Sequence, residues 1–526
     1  MSRSRTERRR LLAGILVALL LVGAAVSQAQ ESRGQKKLRP EAVSQLSAAK
    51  AQMDHGDLDA SEKILWSILS SAPENQDALA MLGVVRGRQG RHPEAEALFR
   101  RVLQLNPKSV VASRNLASAL LAQDKPEDAL RQYNQTIQLS PQDSDLKIEV
   151  AKLELERSDF TAALTVLDSI KGVGLPPVAV PLKAAALLGL GRQADAQGLI
   201  PQAKGSPDAT LELAIVFVEA NDSEAALKAL HLLSPVPKNL SARVYYLKGR
   251  ALQQQGDAAA AMTSFRQALN ADPKSTETLV AMAEVFAVEK KHADSLAMLE
   301  KARAASPDSR EVLRHLIVEA MRAGQNDRGL EAAQDLQRKS SELDDRYLVA
   351  TVMLQQKQFV PVTHILEDYL TQRPEDAKAY LGLGMAYLNL LRYPEARQAL
   401  EHSLRIDPNI AEGHYQLGLL ASQLGSRQEA IQSWQKAVAL KPDHAQALFF
   451  LGTMYLESGE LANAESSFQR SLAADPNNMK TEYDLALVLN KLGKPEEAKQ
   501  HFERYRSLQE AEHATAGNPP AAADHP

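Results

Sequence analysis

The chain has 526 residues, of which 44% are hydrophobic and 24% are charged, and it contains no cysteine. Lysine and arginine number 61 against 65 aspartates and glutamates, so the formal net charge is −4. This balance argues against a nucleic-acid-binding protein, for which a basic excess is expected. The lack of cysteine excludes disulfides, cysteine-ligated zinc and cysteine nucleophiles.

The first segment, residues 1–29, has the layout of a secretory signal peptide. Arginines crowd the first ten residues, an apolar run extends from Leu11 to Val26, and Ser27 and Ala29 place small residues at a cleavage site. The apolar run is shorter than the roughly 20 residues that a spanning helix needs. Cleavage is therefore favoured, with an uncleaved membrane anchor as the alternative. We expect a periplasmic or secreted protein with no integral membrane span after cleavage.

A charged linker is predicted over residues 30–41, and from there onward prolines recur at an interval of 34 residues. The prolines that keep this interval are Pro73, Pro107 and Pro141, then Pro273 and Pro307, then Pro374, Pro408, Pro442 and Pro476. Proline cannot continue a helix, so each of them marks the end of one unit and the start of the next. A fixed period of this length indicates a tandem-repeat architecture.

Each unit repeats the same residue types at the same offsets. In the unit covering residues 411–444 these residues are Leu417, Gly418, Ala430, Trp434, Ala437 and Pro442. The large residues fill the space between helices, and the small ones let two helix backbones approach each other. Glycine near the fifteenth position suits a turn, because glycine tolerates positive φ at a helix end. Each unit is therefore predicted to be a helix, a turn and a second helix, stacked on its neighbours.

This pattern resembles the tetratricopeptide repeat family, whose motif has a 34-residue period with Leu-Gly, a Tyr-like residue, Ala, Phe, Ala and Pro. Tyr387 and Tyr455 occupy the tyrosine column. The resemblance covers roughly residues 42–512. It implies an all-α fold, a right-handed superhelical α-solenoid of about 14 helix-turn-helix repeats. The predicted division is three repeats over 42–143, degenerate repeats over 144–241, about eight repeats over 242–512 and a disordered tail over 513–526.

The segment 144–241 departs from the 34-residue period. The Gly174-Leu175-Pro176-Pro177 sequence and the short steps to later prolines interrupt it. The favoured interpretation is degenerate repeats with shortened helices. The alternative is a hinge between two superhelical blocks.

The chain shows no catalytic constellation that we would assign to an enzyme. It has no glycine-rich phosphate loop, no His-Glu-x-x-His pair and no Gly-x-Ser-x-Gly elbow. Its twelve histidines are scattered without a second ligand at metal-binding spacing. We therefore expect no enzymatic activity, no metal and no cofactor, with a cryptic hydrolase site in 144–241 as a remote alternative.

The resemblance implies that the first helix of each unit lines a concave groove that contacts ligands. From residue 343 onward the corresponding positions form a bulky apolar column with a polar edge, suited to an extended peptide or a helix. The predicted peptide-binding residues are Tyr347, Leu381, Met385, Asn389, Tyr415, Leu419, Gln423, Phe449, Thr453, Tyr483, Leu487 and Lys491. Alternatively, the rings pack between adjacent helices. A continuous solvent-accessible strip through Tyr415, Phe449 and Tyr483 would favour binding.

These observations together predict an exported, non-catalytic scaffold of bacterial type that binds protein or peptide partners. Envelope assembly, secretion and polysaccharide export are the processes that such a protein would serve. The alternative is a regulatory or substrate-recruiting subunit of a separately encoded envelope enzyme. Because repeat scaffolds use similar frameworks for unrelated ligands, the fold alone does not name the partner.

Overall fold

The computed structural model of the protein describes residues 40–171 and 174–516. Within these ranges it consists of 28 α-helices and two short 3₁₀ helices, without strands. The predicted signal peptide and residues 30–39 of the predicted linker lie outside the described residues. So do residues 517–526 of the predicted tail, whereas the last helix continues as far as Ala516.

The chain divides into two compact units, one up to Asp272 and the other from Pro273. The helices of the first unit are α1 (Pro40–Asp54), α2 (Leu58–Ser71), α3 (Gln76–Arg88), α4 (His92–Leu105), α5 (Val110–Leu121), α6 (Pro126–Leu139), α7 (Ser144–Glu156), α8 (Phe160–Asp168), α9 (Ala179–Gly189), α10 (Gln193–Gln197), α11 (Pro207–Glu219), α12 (Ser223–His231), α13 (Ser241–Gln254) and α14 (Ala258–Ala271). The two 3₁₀ helices, Ile200–Ala203 and Lys238–Leu240, also belong to this unit.

The second unit contains the remaining fourteen helices. They are α15 (Thr276–Val288), α16 (His292–Ala305), α17 (Arg310–Arg322), α18 (Asn326–Lys339), α19 (Leu343–Gln355), α20 (Phe359–Gln372), α21 (Ala377–Asn389), α22 (Tyr393–Ile406), α23 (Ala411–Gln423), α24 (Arg427–Leu440), α25 (Ala445–Ser458), α26 (Leu461–Ala474), α27 (Met479–Lys491) and α28 (Pro495–Ala516).

Consecutive helices form antiparallel pairs, and the second helix of a pair packs against the first helix of the next one in the same unit. The exception is the short α10, beyond which the 3₁₀ helix Ile200–Ala203 makes the contact with α11. The prediction of an all-α fold built from about 14 helix-turn-helix repeats is thereby confirmed. The glycine in the first helix explains how closely the two helices of a pair approach. A β-carbon added to Gly418 would lie 2.3 Å from Nε1 of Trp434, and one added to Gly83 would lie 2.6 Å from Cε1 of Phe99.

The segment 144–241 also forms helix pairs, but their second helices are short. Helices α8 and α12 have nine residues each and α10 has five, whereas α14 has fourteen. Such a short helix forms few backbone hydrogen bonds of its own, so its stability depends on tertiary contacts. Helix α10 obtains them from the start of α12, where the amides of Gln193 and Gln197 donate to Oδ2 of Asp222 at 2.9 and 2.8 Å.

The turn inside each helix pair places one residue at positive φ. Eight of these residues are glycines, namely Gly56, Gly90, Gly191, Gly256, Gly324, Gly425, Gly459 and Gly493. The other six are Asp124, Ser158, Asn221, Lys290, Lys357 and Leu391, with φ between 57° and 64°. For a residue with a β-carbon, this left-handed conformation costs roughly 1–2 kcal/mol.

We expect Leu391→Gly to stabilise the second unit by about 1 kcal/mol, because it removes the left-handed strain and loses little packing. Leu391 has φ 59° and its side chain is 68% exposed. The adjacent, half-buried Leu390 has φ −84° and provides the control, since Leu390→Gly relieves no left-handed strain and should destabilise through added backbone freedom and lost packing. Thermal denaturation of the three proteins measures the difference. A lower melting temperature for Leu391→Gly than for the unsubstituted protein would contradict the strain argument.

Candidate functional site

The first helices of the second unit form one connected surface. Helix α15 contacts α17, α17 contacts α19, α19 contacts α21, and α21 contacts α23, whereas successive second helices of the unit do not approach each other to the same extent. The first helices therefore line the inner side of this unit's curvature. We call their solvent-facing surface the inner face.

The twelve predicted peptide-binding residues lie on first helices of the second unit, at three levels of exposure. Those that are exposed are Asn389, Gln423, Tyr483 and Lys491. Those that are half-buried are Tyr347, Leu381, Met385, Tyr415, Leu419, Thr453 and Leu487. Phe449 alone among them is buried, with 8% of its surface exposed.

Tyr415, Phe449 and Tyr483 consequently do not form one continuous solvent-accessible strip. The ring of Phe449 lies 5.9 Å from the ring of Phe468, on the second helix of its own pair, and 5.4 Å from that of Phe450. Phe449 therefore packs between helices, as the alternative interpretation of the column expected. Tyr483 is 41% exposed, so the strip is interrupted between two accessible rings.

The exposure of Tyr415 is intermediate between that of the buried Phe449 and that of the exposed Tyr483. Its ring is 4.8 Å from the ring of His444 and 6.2 Å from that of Phe450. Burial raises the pKa of Tyr415 to about 12, and the nearby carboxylate of Glu412 contributes in the same direction. The Tyr415 hydroxyl therefore stays protonated at neutral pH and can act as a hydrogen-bond donor to a ligand.

Beyond the first turn of each helix, the first helices carry no charged residue between residues 347 and 456. Helices α19, α21 and α23 carry charged residues only in their first turn, and α25 carries only Glu457, near its end. The side chains that reach solvent there form what we call the uncharged strip: Tyr347, Leu348, Thr351, Leu381, Met385, Asn389, Tyr415, Leu419 and Gln423. Leu348 and Thr351 were not among the residues predicted from the sequence. The charge-free first helices are a signal that could have found them.

Charged groups flank the uncharged strip on both sides. On one side, the guanidinium of Arg314 donates to the buried carboxylate of Asp345. On the other, Nζ of Lys480 lies 5.1 Å above the ring of Phe449, within cation–π distance. Burial raises the pKa of Asp484 on the same helix as Lys480. The strip is thus an apolar and hydrogen-bonding surface, with charged groups at its two ends and in the first turns of its helices.

The segment 144–241 of the first unit contains a cavity of about 330 Å³. Its carboxylates are paired, with Nζ of Lys183 2.6 Å from Oδ1 of Asp168 and Nε of Arg192 2.7 Å from Oδ2 of Asp195. Its described lining has neither serine nor histidine. A serine–histidine pair is therefore not present in the described lining, and its carboxylates are held in ion pairs.

The described residues offer neither a metal-binding cluster nor a membrane-spanning helix. Histidine, aspartate and glutamate side chains of residues 40–171 and 174–516 do not gather into a group of three that could hold a metal ion. Among the helices of the same ranges, none combines the length and the apolar character needed to cross a membrane.

Two curated proteins resemble parts of the chain. Cellulose synthase operon protein C of Pseudomonas fluorescens is 27% identical over 257 residues, which are 46% of this chain and 18% of that protein. A DnaJ homolog subfamily C member 7 homolog of Schizosaccharomyces pombe is 28% identical over 122 residues, which are 21% of this chain and 25% of that protein. The chain thus spans a quarter or less of the length of these relatives.

Solved structures also align with the chain. The APC/C hetero-tetramer Cut9–Hcn1 gives a TM-score of 0.41 with 14% identity, covering 88% of this chain and 92% of that one. A thermophilic tetratricopeptide-repeat protein of Thermus thermophilus gives a TM-score of 0.31 with 23% identity, covering 34% of this chain and 99% of that one. At these TM-scores the superpositions support no functional inference.

Family models described as tetratricopeptide repeat match the chain at six places. The matched residues are 76–142, 114–177, 242–275, 377–410, 415–478 and 455–515, which together make up just over half of the chain. The helix pairs and the glycine-to-aromatic contacts occur in these same segments. The chain belongs to the tetratricopeptide repeat family and is a protein-interaction scaffold of that family.

Proposed function

We propose that the protein binds a polypeptide partner on the uncharged strip of its second unit and performs no catalysis. The observation that carries this proposal is the absence of charge, beyond the first turn, from three successive first helices. Burying a charged side chain without a partner is costly, whereas apolar surface gains roughly 25 cal/mol per Å² when water is removed from it. An uncharged strip therefore suits a partner that buries apolar side chains.

The geometry of the strip favours the apolar side of an amphipathic segment as that partner. Leu381, Met385 and Leu419 supply half-buried apolar contacts, and the unbranched methionine adapts its shape to the ligand. Asn389 and Gln423 stand exposed at the polar edge, where amide groups can hydrogen-bond to a ligand backbone. Such a segment would lie across successive first helices, as amphipathic helices lie in grooves elsewhere.

Charges placed in the strip test this proposal. We expect Met385→Glu combined with Leu419→Glu to weaken partner binding at least tenfold, because each carboxylate would have to be desolvated in the complex. A photoreactive residue at Gln423 should crosslink the partner in cells, and mass spectrometry of the crosslinked product identifies it. The same double substitution should abolish that crosslink.

The matched control introduces two carboxylates on second helices, with Gln334→Glu and Gln469→Glu, both at exposed positions. This control should bind the partner as the unsubstituted protein does. Circular dichroism verifies that both double variants keep their helices. Equal crosslinking by the strip variant and the control would refute the proposed binding surface.

We further propose that the protein is exported and acts in envelope assembly, secretion or polysaccharide export. The N-terminal sequence pattern supports export, and the similarity to cellulose synthase operon protein C supports an envelope process. That relative's name also favours the second candidate function, a regulatory or substrate-recruiting subunit of an envelope enzyme. Fractionation of cells, followed by N-terminal sequencing, should find the chain outside the cytoplasm and beginning at Gln30. Recovery from the cytoplasm would contradict export.

A further inference from the structure

A second depression lies between the second helices α22 and α24, with α23 as its floor, and we call it the outer groove. Its volume is about 670 Å³. None of the twelve predicted peptide-binding residues lines it, so it is separate from the uncharged strip. The proposed function does not use this surface.

The floor of the outer groove is apolar and partly open to solvent. It is formed by Leu404 and Leu417, both half-buried. Leu417 belongs to the leucine column of the repeat, whose members Leu82, Leu383 and Leu451 are buried. Leu417 differs from these leucines because part of its side chain is open to solvent. An apolar side chain from a ligand could therefore contact it, whereas the equivalent leucines of the other repeats are already covered by protein atoms.

One end of the outer groove is closed by an ion pair. Both guanidinium nitrogens of Arg397 donate to the carboxylate of Glu429, the longer bond measuring 3.3 Å. The hydrogen bond from Arg397 lowers the pKa of Glu429 despite the opposing effect of its partial burial. Glu401 lies 3.7 Å from the same guanidinium. This end therefore holds two carboxylates around one guanidinium and is acidic.

The other end is basic. Arg405 and Lys436 are exposed, and within the described part of the chain neither has a carboxylate within 4.0 Å. The guanidinium of Arg405 lies 3.1 Å from Nδ1 of His402. His414 completes this end, with its Nε2 3.1 Å from the carbonyl oxygen of Pro408. The groove thus combines an apolar floor with cations that are available to a ligand.

We propose that the outer groove is a second docking site, for an acidic peptide segment of a partner protein. An apolar side chain of that segment would cover Leu404 and Leu417. An adjacent aspartate or glutamate would pair with Arg405 and Lys436. Because these two cations have no acidic partner within the described chain, a ligand carboxylate would not have to displace an existing ion pair.

The test measures fluorescence anisotropy of two short labelled peptides with amidated C-termini. One contains leucines followed by glutamates, and the other has lysines in place of the glutamates. The full chain should bind the glutamate peptide at least tenfold more tightly than the lysine peptide, and added salt should weaken the binding. Arg405→Glu combined with Lys436→Glu should lower affinity for the glutamate peptide at least tenfold.

Lys301→Glu, at an exposed position on α16, provides the matched charge-reversal control and should leave the affinity unchanged. The strip variant Met385→Glu/Leu419→Glu should also leave it unchanged, which separates this site from the proposed function. The docking site is refuted if the glutamate peptide does not bind, if both peptides bind equally, or if reversal of Arg405 and Lys436 has no effect. Equal losses in the Lys301 control would show only a general charge effect and would likewise refute it.

Discussion

Gly418→Ala is expected to destabilise the α23–α24 pair by roughly 1–3 kcal/mol, the usual cost of forcing extra volume into a packed core. The added β-carbon would lie 2.3 Å from Nε1 of Trp434, which donates a 3.2 Å hydrogen bond to the carbonyl of Tyr415. Trp434 is fully buried, so its ring cannot move aside without opening the pair. Both the packing and the hydrogen bond of Trp434 should be lost together.

Trp434 itself reports the outcome. The chain has two tryptophans, and Trp66→Phe removes the signal of the other, which is half exposed. In that background, Gly418→Ala should shift the fluorescence of Trp434 to the red and lower its unfolding midpoint in denaturant. Gly87→Ala is the matched control, because an added β-carbon there meets nothing within 4 Å. We expect it to stabilise helix α3 by about 0.5–1 kcal/mol. An unshifted spectrum for Gly418→Ala would show that Trp434 can relax without cost.

Asp222→Ala is expected to release helix α10 and the start of α12, at a cost of about 3 kcal/mol. The substitution removes an N-cap, where the amide of Ala225 donates to Oδ1 of Asp222 at 3.2 Å, and such caps contribute typically about 1 kcal/mol. It also removes the acceptor of the Gln193 and Gln197 amides. Both side chains reach solvent and can bond to water instead, so these two hydrogen bonds contribute about 1 kcal/mol each. Hydrogen exchange should become faster over residues 193–203 and 223–231.

Asp257→Ala provides the control for the capping contribution alone. Asp257 caps α14 through the amide of Ala260 at 2.9 Å, in a pair with a full-length second helix. Its loss should cost about 1 kcal/mol and affect exchange only near α14. If the two aspartate variants showed the same change in exchange, the bridging role of Asp222 would be wrong.

The pH dependence of exchange around α10 should follow the ionisation of Asp222. Burial by itself raises the pKa of Asp222, but the hydrogen bonds from Gln197, Gln193 and the Ala225 amide outweigh it and hold the pKa below the usual 3.8. A carboxyl group with a lowered folded-state pKa stabilises the protein fully above its unfolded pKa, and this stability is lost as the pH falls through the folded value. Protection over 193–203 should therefore decline below about pH 4. Asp222→Asn should remove this component, and an unchanged acid response would contradict it.

The candidate site could be predicted from the sequence only in part. The 34-residue register correctly assigned the twelve predicted residues to the first helices, because that register follows from chain position alone. The solvent exposure of these residues could not be predicted from the register. Phe449 and Tyr483 occupy the same position in their repeats, yet Phe449 is buried against Phe450 and Phe468, and Tyr483 is 41% exposed. The neighbouring side chains, which differ between repeats, decide whether such a ring faces a ligand.

The sequence by itself determined the repeat, its length and the helix-turn-helix form of each unit. Proline, glycine and the large apolar residues act through local backbone preference and through contacts at a fixed separation, and both can be read from one repeat. The tertiary structure alone decided the bridge from Asp222 to α10, the outer groove between α22 and α24, and the burial of Phe449. These features join residues of different helices at distances that no periodic pattern encodes, since they depend on how individual side chains fill the space between neighbouring repeats.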